Sequence, residues 1–297
     1  MIIRKTGTFV AALVLFTTLF SCGTDKTNET NGDNKNDSTA MNDSTKEDDM
    51  QQVDATTYLL PSPLQIAYIF KKSGLKYVAG TAHDVKKQNE YSTSYAQSLA
   101  LGIYSSDLAY CVLNKEKQEA INYMNAVKAL SDKLGMSTVF DSESLLKRFE
   151  VNIGNEDSIM FILSEIQSKS DDFFSSNDRQ MSAAIVFSGA WVESMYIASH
   201  VLPKTKDSKL ASQLADQMGI LENLVKELKR HESKDTNIAT LLGNLNAIHD
   251  IIAGIPGVKE MMDSDKPSEV KISASEQQLK DLAKKLEEVR MMIIKSN

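Results

Sequence analysis

"SAAIVFSGAWVESMYIASHVL", residues 182–202, is apolar on almost every side when wound as a helix. An amphipathic surface helix keeps one polar face for water, and this one does not, so it reads as the buried centre of a helical bundle. Ser182, Ala183, Ser188, Gly189 and Ala190 are small enough to let neighbouring helices approach closely. Pro203 stops the run at its C-terminal end. A helix this apolar needs other helices on every side of it.

The flanking sequence supplies them. In "PSPLQIAYIFKKSG", residues 61–74, Ser62, Pro63 and Gln65 form a helix start and Gly74 a stop. Residues 92–113 are strongly apolar. Residues 116–134 place Ile121, Met124, Val127, Leu130 and Leu134 on one stripe that ends at Gly135. Helical spacing also runs through 142–153 (closed by Gly154), 156–174, 177–202, 208–231, 237–253 and 274–295. The last carries Leu279, Leu282, Leu286, Val289 and Ile293 at heptad spacing, either closing its own bundle or pairing with another chain. Val270-Lys271-Ile272 is the one short strand candidate. The expected fold is all-α, a multi-helix bundle of roughly eight to nine helices over residues 55–297.

Two acids interrupt the most apolar segments. Glu193 sits inside the central helix with Trp191 and Tyr196 beside it, and His200 lies two turns on along the same face. In "LGIYSSDLAYCVL", residues 101–113, Tyr104, Asp107 and Cys111 fall on adjacent turns. A carboxylate in such a helix is paired, protonated or turned to a cavity. One reading has both acids bonded to tyrosine hydroxyls or helix ends and fixing the packing. The other gathers Tyr104, Asp107, Trp191, Glu193, Tyr196 and His200 around a small-ligand pocket.

The search for other chemistry returns little. His83, His200, His231 and His249 are scattered, and no metal-ligand spacing joins them. No nucleophile elbow, phosphate-binding glycine loop or dinucleotide fingerprint is present. No catalytic residue, metal or cofactor is therefore assigned. Cys111, within an apolar helical pattern, reads as a buried structural thiol.

Residues 22–54 have a different composition. From residue 24 onward they are Asn, Asp, Thr, Ser, Lys and Glu with almost nothing to bury, the composition of a disordered tether. Of the chain's net charge of −7, this tether supplies −6 and the leader +2, leaving −3 for residues 55–297. No basic face is available for a nucleic acid, which excludes that class of partner.

Residues 1–21 place Arg4 and Lys5 ahead of an apolar run from Phe9 to Phe20, too short to span a bilayer as a helix. The run ends in Leu19-Phe20-Ser21-Cys22, which resembles the lipobox of bacterial lipoproteins. That resemblance implies cleavage before Cys22, acyl chains on that residue, and attachment to the cell-envelope membrane. An ordinary secretion signal with an incidental cysteine is the alternative. Asp37-Ser38-Thr39 and Asp43-Ser44-Thr45 resemble the O-glycosylation sequence of Bacteroidota, with Ser38 and Ser44 as acceptors; the alternative is low-complexity repetition.

"SPLQIAYIFKKSGLKY", "LALGIYSSDLAY" and "GAWVESMYIA" together resemble a group of uncharacterised helical lipoproteins of Bacteroidota. The resemblance spans most of residues 57–200. It implies an envelope-anchored helical domain and carries no activity; the outer membrane is the expected location. The expectation is a non-enzymatic envelope lipoprotein whose helical domain binds a protein partner or acts as a scaffold. The competing expectation is a small-ligand-binding or enzymatic domain with its pocket at Glu193 and Asp107.

Overall fold

Helix starts and stops alternate along the chain as the caps dictate. The structure, a computed structural model, describes residues 61–140, 143–177, 179–203, 209–230 and 235–296. Cys22, Ser38 and Ser44, and with them the leader and tether, lie outside the described residues. The described residues belong to one compact unit, Thr56–Asn297.

Eleven α-helices follow in chain order: α1 (Pro63–Lys72), α2 (Ser94–Leu113), α3 (Lys117–Lys133), α4 (Glu143–Asn152), α5 (Glu156–Ser176), α6 (Gln180–Val201), α7 (Leu210–Ala215), α8 (Met218–Arg230), α9 (Thr236–Ala253), α10 (Val258–Asp263) and α11 (Glu276–Ile294). Short 3₁₀ turns at Val85–Asn89, Ser137–Phe140 and Pro267–Glu269 link some of them. The fold is all-α, and no strand occurs among the described residues. Nine of the helices have ten residues or more; α7 and α10 have six.

The caps behave as their residue types require. Ser62 Oγ accepts the Gln65 N–H, and Gln65 Oε1 accepts the Ser62 N–H, so both ends of a capping box close at the start of α1. Ser275 and Gln278 repeat the device at the start of α11.

Two local expectations are corrected. Residues 208–231 were expected as one helix, but α7 and α8 are separated at Asp216-Gln217, where the Gln217 N–H bonds only three residues back to Leu214. Leu210, Leu214, Met218 and Leu221 stay on one stripe through the kink, so periodicity does not register it. Val270-Lys271-Ile272 has no ladder partner; it is held by the Ser273 N–H to Pro256 O (3.1 Å) and lies over Gly257.

α2 is the wall between two cores. Leu99, Ile103 and Tyr110 face the larger core, built with α1 and α6 through α11. Ala100, Tyr104, Leu108 and Cys111 face the smaller one, built with α3, α4 and α5. Burial on both faces is why α2 carries no polar stripe. α6 is the one helix among the described residues long and apolar enough to cross a membrane, and most of it is buried inside the bundle.

α2 and α6 make the most extensive helix contact among the described residues, and glycine permits it. A Cβ on Gly102 would lie 1.9 Å from Val186 O, and one on Gly189 would lie 2.1 Å from Leu99 O. Each glycine thus admits the backbone of the opposite helix. Ser106 and Ser194 add a hydroxyl–hydroxyl bond of 2.8 Å across the same contact. This close crossing brings Asp107 of α2 and Glu193 of α6 into one buried neighbourhood.

Candidate functional site

Both acids are fully buried, at 0% exposure. Glu193 is met by Arg290 of α11, whose Nε donates to Oε2 at 2.6 Å and whose Nη2 donates to Oε1 at 2.8 Å. A planar guanidinium gripping both carboxylate oxygens is the strongest ion-pair geometry available to side chains. The same guanidinium lies 4.1 Å from the centre of the Tyr196 ring, and Nη2 reaches Thr81 O at 3.4 Å.

Asp107 is met from the segment between α1 and α2. The backbone N–H of His83 donates to Asp107 Oδ2 at 3.0 Å. That segment is pinned from beneath: Tyr123 Oη donates to His83 O at 2.7 Å and Tyr104 Oη donates to Asp84 O at 3.0 Å. The His83 ring shares a 2.8 Å bond between Nε2 and the Tyr91 hydroxyl. The Tyr104 and Tyr123 hydroxyls therefore serve backbone carbonyls, and among the described residues neither acid bonds to a tyrosine or a helix end.

Burial governs the titration of this neighbourhood. It pushes the Asp107 carboxyl well above the usual carboxylate range; the adjacent Glu193 charge raises it further, and Arg290 opposes both. His83 is lowered to about 4 by burial and then by the Arg290 charge. Burial drives the Tyr104, Tyr123 and Cys111 groups upward, so all three stay neutral. A thiol held protonated in this way is a poor nucleophile.

Of the six residues expected around one pocket, none lines either of two clefts in the structure. Glu193 and Tyr196 meet through Arg290, while Asp107 is held by the His83 N–H, whose segment Tyr104 supports at Asp84 O. His200 stacks on Tyr196 with ring centres 4.1 Å apart and points outward, Nε2 lying 3.7 Å from Glu287 Oε2. Trp191 is buried in the larger core, and its indole N–H has no acceptor among the described residues.

Neither concavity reaches the acids. One cleft, between the α2–α3 and α4–α5 turns, is lined by Cys111, Val112, Lys115, Lys117, Ile153 and Ile159 among others. The other is a shallow surface on α11 around Lys284, Glu287 and Met291. Among the described residues no group of three or more His, Cys, Asp or Glu side chains could hold a metal ion.

Sequence reasoning missed Arg290 and His83. Arg290 follows Leu286 by four residues and precedes Ile293 by three, so a charge stood in an apolar stripe where a charge needs a partner. His83 offered no signal, because it contributes a backbone N–H that any residue except proline could supply. Compared with family models, with curated proteins and with solved structures, the chain returns no match.

Proposed function

We propose that the chain is an envelope-anchored lipoprotein, held at the outer membrane by acyl chains on Cys22, whose helical domain is a protein-interaction or scaffold module. The observation that supports this reading is the use to which the polar core is put. Glu193, Arg290 and Asp107 spend their hydrogen bonds on tying α6, α11 and the Thr81–His83 segment together, and neither of the two clefts is lined by them. A catalytic or small-ligand site keeps polar groups turned toward a concave, solvent-reachable space. What the domain offers to a partner is outer surface. Val151 and Phe161, the most exposed large apolar side chains among the described residues, are 71% and 66% exposed. Both stand about one turn toward the α4–α5 loop from the Arg148–Glu165 ion pair that bridges the hairpin.

The test combines two measurements on the purified protein and on cells. Thermal unfolding is recorded with and without a metabolite pool, and cross-linked complexes are captured from native membranes through the full-length chain. A discrete protein partner, with no shift of the midpoint by the pool, supports the interaction module. Stabilisation by the pool, through a ligand that binds only the folded state, would replace it with the small-ligand reading.

A further inference from the structure

We propose that Asp107 and Glu193 together bind one proton in the core, Asp107 as a carboxylic acid donating to the Glu193 carboxylate, with Arg290 as the balancing charge. The geometry requires a hydrogen that the backbone and neighbouring side chains do not supply. Asp107 Oδ2 is occupied by the His83 N–H, while Oδ1 is buried and meets no N–H or O–H donor. Glu193 lies across the same close helix crossing, where the neighbouring Ser106 and Ser194 hydroxyls meet at 2.8 Å, and both carboxyl groups are fully buried. Two carboxylates attract one another only if one of them carries a proton. Glu193 already accepts from Arg290 at both oxygens, and each oxygen has a second lone pair free to accept.

The charges around the pair lead to the same result. From α2 itself come Tyr104, Tyr110 and Cys111, from α3 Tyr123, from the preceding segment Tyr77 and His83, and from α6 Tyr196. All are neutral near pH 7, His83 because burial has lowered it to about 4. Asp84, on the same segment, faces solvent. Arg290 of α11 is then the cation for two carboxyl groups. One positive charge offsets one buried negative charge, and a second, unpaired, would bear the full cost of losing its hydration. Protonation of Asp107 leaves the cluster neutral. Loss of the proton to solvent at alkaline pH would leave an unbalanced anion where α2, α6, α11 and the His83 segment meet.

Asp107→Asn is the isostere of the protonated acid: its Oδ1 accepts from His83, and its Nδ2 donates to Glu193. The infrared spectrum of the full chain at neutral pH should contain a buried carboxylic-acid C=O stretch that Asp107→Asn removes. Glu193→Gln should remove it too, because Asp107 then ionises as the counter-ion of Arg290. Between about pH 5 and 7 the unfolding constant of wild type relative to Asp107→Asn should rise about tenfold per pH unit, since the unfolded chain releases a proton that the folded chain keeps. A wild-type spectrum without the acid stretch, or a stretch that persists in either variant, overturns the proposal, as does a pH-independent ratio. Should Asp107→Asn fail to fold, the wild-type and Glu193→Gln spectra decide by the same criteria.

Discussion

Arg290 and Glu193 stand 97 residues apart in the chain and meet in the core through two hydrogen bonds of 2.6 and 2.8 Å. The last helix is thereby tied to the central one by a charge pair as well as by the Leu279–Ile293 seam. Removing one partner leaves the other charge buried. Arg290→Met should cost about 3–5 kcal/mol, whereas Glu193→Leu with Arg290→Met should cost clearly less than the two single changes added together. Denaturant unfolding of the two single variants and the double measures this. Additive costs would mean that the pair is not coupled.

Gly102 predicts an asymmetry among glycines. Gly102→Ala drives a methyl group into Val186 O and forces α2 from α6, at a cost of about 3 kcal/mol or more. Gly243, within α9, has no atom within 4 Å of an added Cβ, and Gly243→Ala should stabilise by about 0.5–1 kcal/mol through helix propensity. Thermal midpoints that move in opposite directions meet the expectation; a tolerated Gly102→Ala contradicts the close crossing.

His83 carries a pH dependence whose sign follows from its lowered affinity for protons. The folded chain holds it neutral down to about pH 4, while the unfolded chain protonates it near 6.5. Its contribution is complete above about pH 6.5 and is lost as pH falls toward 4, about 3 kcal/mol in all. A proton kept on Asp107 acts in the opposite direction over the same range, so the wild-type curve alone is flattened. The difference between wild type and His83→Gln isolates the histidine, and a difference that does not change from pH 7 to 4 refutes it.

Cys22→Ser tests the anchor without touching the fold. The variant should leave the membrane fraction, and its helical domain should unfold at the wild-type temperature. Recovery of Cys22→Ser with the membranes would contradict lipid attachment.

Sequence periodicity determined the class of the fold and most of its helices, because burial at three- and four-residue spacing is a local property. The capping signals at Ser62 and Gly74, and the apolar segments around Asp107 and Glu193, were legible for the same reason. The two acids stood out as costs that something had to offset. What offsets each was decided only in the tertiary structure. Gly102 and Gly189 must first let two backbones touch; only then do Asp107 and Glu193 become neighbours. Arg290 reaches them from the far end of the chain, and His83 reaches them with a backbone N–H that carries no side-chain signature. The kink between α7 and α8 escaped for a related reason: its apolar stripe runs through unbroken. Local spacing records which side of a helix is buried, and carries no information about which other side waits opposite it.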